Sequence, residues 1–173
     1  MKILFPLSVV SILLFALPKV SAGPTFQVEV KFEPKRADVK RSASSSTEEA
    51  EESWVYQVTI TNHSFKDIPD LRVDYIVLSK HERFGSKIEP KLERTKGSKT
   101  LGNLTNNGKT SFETDPVTLK KARLKADWYY ANGAKGNAKD EMSGILVRVY
   151  SGNDLINESA APSSLKTREK WED

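Results

Sequence analysis

His63 and His81 are the only imidazoles in the chain. Both fall in segments rich in turn formers, where a solvated histidine is the ordinary outcome and a general base the special one. Neither is accompanied by a G-x-S-x-G elbow, and no H-E-x-x-H or H-x-x-x-H spacing offers zinc ligands. Cysteine is absent, which excludes thiol catalysis, disulfides and a lipid anchor on a cysteine. Asp67, Asp70 and Asp74 crowd one stretch, and Asp140 stands beside Glu141. A calcium site needs six or more convergent oxygens, and neither group has a recognised ligand spacing. No glycine-rich phosphate loop follows a strand-like run, so nucleotide binding of that kind is not expected. No cofactor and no metal are expected.

Aromatic and amide side chains near one loop give the better candidate. In Leu124–Tyr130, alternation places Leu124, Ala126, Trp128 and Tyr130 on the face expected in the core. Tyr129 falls on the opposite face, at the base of the loop Ala131–Ser143. Gly133 and Gly136 keep that loop adaptable, Asn132 and Asn137 supply donors and acceptors, and Lys135 and Lys139 supply charge. Tyr129, Asn132, Lys135, Asn137 and Lys139 are therefore the candidate binding residues, because binding groups favour loops carried on firm sheets. Ile76 and Leu78 form a second candidate. They interrupt the polar face of their strand, so either a loop or tail covers them or they seed a protein contact.

The elements that must position these residues are strands. Trp54–Lys80 reads as a hairpin: Trp54, Tyr56, Val58 and Ile60 alternate with Val55, Gln57, Thr59 and Thr61, and Leu71, Val73, Tyr75 and Val77 alternate with Arg72, Asp74, Ile76 and Leu78 after the turn around Asn62–Ser64 and Pro69. Phe26–Phe32, Ile88–Leu92, Lys99–Leu104, Thr110–Thr114, Val117–Leu119, Gly144–Tyr150 and Leu155–Ser159 add short strands, with Asn106-Asn107-Gly108 a strong turn. Seven to nine short strands without an amphipathic helix predict an all-β fold, an immunoglobulin/fibronectin-III-like antiparallel β-sandwich. Ala37–Ser53 has a serine cluster, an acidic run and no periodicity, which predicts a mobile loop over 37–53. Residues 166–173 read as a charged C-terminal tail.

Residues 1–22 carry Lys2, the apolar run Ile3–Ala16 and small residues at Val20 and Ala22, the pattern of a cleaved signal peptide. A mature chain from Gly23 is expected, exported to the periplasm or secreted, with a single sandwich over 23–165. Of 173 residues 151 would remain, and loss of Lys2 and Lys19 with no acid lowers the formal charge from +4 to +2. Such a charge does not suggest nucleic acid as the partner.

Asn62-His63-Ser64, Ile68, Leu71–Tyr75 and, further on, Leu101, Leu104, Gly108 and Phe112 resemble the pattern of small bacterial immunoglobulin-like domains of the FxLYD/CARDB type. There a strand ends in N-x-S, turns through x-I-x-x-L-x-V and is followed later by L-x-x-L-x-x-x-G-x-x-x-x-F. The whole mature chain, including Trp128–Gly133 and Ala161–Leu165, is similar to uncharacterised exported proteins of verrucomicrobial bacteria. The resemblance implies a sandwich and brings no catalytic residues to transfer. Two functions follow as expectations: a non-enzymatic binding or structural module of the bacterial envelope, with a protein or polysaccharide partner, or a carbohydrate-active hydrolase or its accessory subunit.

Overall fold

The computed structural model describes residues 26–126 and 128–171; the expected signal segment lies outside them. The strands are β1 (Val28–Ala43), β2 (Thr47–Asn62), β3 (Ile68–His81), β4 (Lys91–Leu104), β5 (Lys109–Glu113), β6 (Val117–Leu124), β7 (Asn137–Lys139), β8 (Glu141–Ser151) and β9 (Asp154–Ala161). A short helix, α1 (Leu165–Arg168), follows them. One sheet runs β1-β2-β6-β7, with β5 also paired to β2, and the other runs β4-β3-β8-β9. All pairings are antiparallel. The chain is thus an all-β sandwich, as the alternating strands predict. Among the described residues, no helix is long and apolar enough to cross a membrane.

Between the sheets lie Tyr56, Val58 and Ile60 from β2, Leu71, Val73, Tyr75 and Val77 from β3, Val117 and Leu119 from β6, and Ile145, Val147 and Val149 from β8. These are the alternating sets that period-two reading assigns inward. Gly97 lies opposite Tyr75 in the β3–β4 ladder, and a Cβ there would come within 2.3 Å of the tyrosine ring. The ring thereby lies across the strand, and its hydroxyl accepts the Asp115 amide at 3.0 Å.

Residues 37–53 are not a mobile loop. They are the distal half of a long hairpin, joined at Ser44–Ser46, with β1 paired to β2 from Val28↔Asn62 to Ala43↔Glu48 and one shift of register between Arg36 and Asp38. Pro34 is tolerated because β1 is an edge strand whose N–H side there needs no partner. What turns the acidic run into a strand is its neighbour on the other side. β6 pairs with it from Trp54↔Val117 to Thr47↔Leu124, setting Glu48 opposite Arg123 and Glu51 opposite Lys120. Backbone ladders on both sides and opposite charges across them replace the missing apolar periodicity.

The tail is also placed. Ile76 and Leu78 are fully buried on the outer face of the second sheet, under Leu165, with Ala160 and Trp171 packed beside them. Lys166 donates to the Glu158 carbonyl, Arg94 donates to the Lys170 carbonyl, and the Arg148 guanidinium lies 4.6 Å from the Trp171 ring centre. Ile76 and Leu78 are therefore not an exposed contact pair, since the chain's own C-terminal segment covers them.

Candidate functional site

Two connections leave the sheets at one end of the sandwich: residues 82–90 between β3 and β4, and 125–136 between β6 and β7. The second departs earlier than alternation predicts. β6 stops at Leu124, whose amide donates to the Gly136 carbonyl at 2.7 Å, and Lys125 donates its amide to Ser46 at the hairpin tip at 2.9 Å. The expected strand Leu124–Tyr130 is therefore mostly loop, and Trp128 is 56% exposed rather than in the core. Tyr130 packs edge-on against Phe84, with ring centres 5.7 Å apart, and this contact ties the two connections together. Tyr129, next in the chain, is 86% exposed.

Of the candidate binding residues, Lys135 and Asn137 meet the 82–90 connection in a cleft of about 310 Å³, together with Glu82, Lys87, Ile88 and Glu89. Ile88, expected in a strand, lies outside β4 and is 71% exposed. Asn132 is occupied locally, its Oδ1 accepting the Ala134 amide at 3.0 Å. Asn137 and Lys139 are not loop residues, because they bound β7, which pairs with Lys121–Arg123. The Lys139 ammonium lies 3.1 Å from Glu141, and its amide donates to Glu82 at 3.1 Å.

A second cluster lies where the chain passes from β7 in one sheet to β8 in the other. Asp140, only 4% exposed, accepts the Glu82 amide on Oδ1 at 2.8 Å and the Lys120 amide on Oδ2 at 2.9 Å. His81 Nδ1 is 2.9 Å from the same Oδ2, and His81 Nε2 is 2.8 Å from Ser79 Oγ. The carboxylate makes Nδ1 the donor, which leaves Nε2 to accept the serine hydroxyl when the ring is neutral. That order of contacts is the one a Ser-His-Asp relay uses. Here, however, Ser79 is 1% exposed. The adjoining cleft, about 570 Å³, is lined by His81 and Asp140 with Glu51, Glu82, Glu93 and Lys120, and Ser79 does not reach it. The cluster therefore ties the end of β3 and the β7–β8 junction to the middle of β6, and its serine is sealed from the cleft. Sequence reading places His81 in a turn; the usable signal was that Ser79 and His81 continue the inward alternation of Val73, Tyr75 and Val77. His63 is exposed, 3.3 Å from Glu29.

Of the three clustered aspartates considered for calcium, Asp67 and Asp74 are separately occupied. Asp67 accepts the Asn106 amide at 2.7 Å, and Asp74 accepts the Ser98 hydroxyl at 2.6 Å. Among the described residues, no group of three or more histidine, aspartate or glutamate side chains is arranged to hold a metal ion.

The third feature is a buried acid on the hairpin. Glu52, 4% exposed, lies 2.7 Å from the Lys121 ammonium and 3.4 Å from the Arg36 guanidinium, and accepts the Trp54 indole N–H at 2.8 Å. The Lys121 hydrogen bond in particular holds its carboxyl below the ordinary value of 4.5, against the opposing pull of burial.

No family model matches the chain, and no curated protein matches it. Among solved structures it has a likeness to the X-ray structure of the Northeast Structural Genomics Consortium target SoR45, at 13% identity over 79% of this chain and 85% of that one, with a TM-score of 0.33. A likeness at that score carries no functional inference.

Proposed function

We propose that the chain is an exported, non-enzymatic β-sandwich that serves a bacterial envelope as a binding module. The observation that carries this reading is the convergence of the 82–90 and 125–136 connections. Tyr130 and Phe84 fix them to each other, exposed Ile88 lines the cleft of Lys87, Lys135 and Asn137, and Trp128 and Tyr129, next to Tyr130 in the chain, are exposed. Large exposed apolar groups beside polar donors, held on a firm scaffold, are the ordinary make-up of a recognition surface. The sealed Ser79 speaks for binding rather than acyl chemistry. The apolar run before Gly23 supports export.

A photo-crosslinker placed at Asn132 in the intact envelope should form a protein or glycan adduct. Tyr129→Ala combined with Lys135→Ala should remove that adduct and leave the thermal transition in place. Unchanged capture by the double variant would overturn the assignment of this surface.

A second reading, glycoside hydrolysis, draws on the cleft where Glu51, Glu82 and Glu93 gather beside His81. Two carboxyl groups flanking a sugar are the minimum for that chemistry. Release of reducing ends from envelope polysaccharide, lost in Glu93→Gln, would establish it in place of the binding reading.

A further inference from the structure

The distal half of the β1–β2 hairpin, with β6 and β7 beside it, is two-faced in charge. Register fixes the faces. Arg41, Ala50, Lys121 and Lys139 form one row across the four strands, and Ala43, Glu48, Arg123 and Asn137 form the next. Glu52 lies on the same face, as its contact with Lys121 requires. Beyond the irregularity at Arg36/Asp38, this face carries Arg41, Lys121, Arg123 and Lys139 against Glu48, Glu52 and the Glu141 that pairs with Lys139, a balance of +1. The opposite face carries Lys40 and Lys120 against Asp38, Glu49 and Glu51, a balance of −1.

The cationic face is left open. Arg41, Arg123, Asn137 and Lys139 are exposed. A groove of about 580 Å³ is lined by Arg41, Lys121, Arg123 and Lys139 with Glu48, Asn137 and, from the neighbouring row, Glu49, and Ala43 and Ala50 lie between the charges of this face. Arg41 has no ion pair or side-chain hydrogen bond among the described residues, so its charge is unspent. Strand spacing puts Arg41 and Lys121, two strands apart, at about 10 Å, with the Arg123 row about 7 Å further along. Lys125 fastens the start of the 125–136 connection to Ser46 and Ser44 at the hairpin tip, which brings the segment carrying Trp128 and Tyr129 to the end of these strands.

We propose that this face binds an acidic polysaccharide. The inference rests on the binding-module reading and names its partner. Spaced cations suit the carboxylates or sulfates of such a chain, the alanines let sugar rings approach the sheet, and exposed aromatics nearby offer stacking for C–H faces. Glu48 and Asn137 on the same face accept hydroxyl donors, which a polyol supplies and a phosphodiester backbone does not.

The test is retention of the protein on polygalacturonate, with dextran, oligo(dT) and phosphatidylglycerol vesicles as the other probes. Lys40 and Arg41 are adjacent in sequence and lie on opposite faces. Arg41→Glu should weaken polygalacturonate binding at least about tenfold, and added salt should do likewise. Lys40→Glu makes the same change in net charge and should leave binding within about twofold, because its face points away. Both positions are exposed, so matching melting curves will show that each variant is folded. Equal losses in the two variants, no retention of wild type on polygalacturonate, or equal Arg41-dependent binding to oligo(dT) or vesicles would each overturn the proposal. The binding-module reading fails separately, if the crosslinker at 132 forms no adduct in the envelope.

Discussion

His81 Nδ1 lies 2.9 Å from Asp140 Oδ2, joining the end of β3 to the residue where the chain passes between sheets. The same carboxylate accepts the amides of Glu82 and Lys120. Asp140→Ala would leave two backbone donors and an imidazole without their partner, and a buried group left unsatisfied costs about 1–3 kcal/mol. Denaturant unfolding should show Asp140→Ala well below wild type, with His81→Ala the milder change because both amides keep their acceptor. Equal stability of wild type and Asp140→Ala would mean that the junction does not hold the sheets together.

The hairpin makes a prediction about exchange rather than stability. Amides of residues 38–43 and 47–53 lie in ladders with neighbouring strands, whereas 131–135 lies between β6 and β7 with few backbone bonds. Hydrogen exchange should be slow in β2 over 47–53 and fast over 131–135. Trypsin should accordingly cut at Lys135 before Lys40 or Arg41. Early cleavage at Lys40 or Arg41 would show that the hairpin opens in solution.

This hairpin also marks where the sequence stops being informative. Strands that bury a face could be read directly: Trp54–Ile60, Leu71–Val77 and Ile145–Val149 all sit where period two places them. Thr47–Ser53 buries little apolar surface and is a strand because Lys120 and Arg123 arrive beside its glutamates from far along the chain. No local pattern encodes that meeting. For the candidate site, the exposure of Tyr129 was legible, but Trp128 followed a false alternation, since Gly136 and Ser46 bond the chain into a loop just after Leu124. Asp140 gave no sign, because its role lies entirely in three distant donors.

Leu165 anchors the C-terminal segment over Ile76, Leu78 and Leu146. Leu165→Ala should cost about 2–5 kcal/mol, as for other buried leucines. Ending the chain at Ser164 should expose the apolar pair and make the protein self-associate, which sedimentation velocity would detect. A monomer of unchanged stability would show the segment to be dispensable.

Glu52 sets a direction for acid sensitivity. Lys121 depresses its carboxyl below 4.5 in the folded protein. A depressed folded value contributes stability that is present above the unfolded value and lost as pH falls through the folded one. Melting temperatures compared at neutral pH and below pH 4.5 should fall further in wild type than in Glu52→Gln, which has no such group to protonate. Identical falls would remove Glu52 from the acid response.

Asn62 is the sharpest test of the opposite end of the sandwich. It is fully buried. Its Nδ2 donates to the carbonyls of Lys66 at 2.9 Å and Thr105 at 3.0 Å, and its Oδ1 accepts the Ser64 amide at 2.9 Å. One amide side chain therefore stitches the β2–β3 turn to the β4–β5 turn, although Asn62-His63-Ser64 reads superficially as a glycosylation signal. Asn62→Asp keeps the shape and the Ser64 contact but turns an acceptor toward two carbonyls and buries a charge. The loss should be on the order of 3 kcal/mol at neutral pH. Because that environment raises the new carboxyl above its unfolded value of about 3.9, the penalty applies above the folded value and fades as pH falls to the unfolded one. Protonation also restores one donor. Relative to wild type, Asn62→Asp should therefore recover on acidification while Asn62→Ala does not, and parallel pH profiles for the two variants would show that the donated hydrogen bonds are not what holds these turns together.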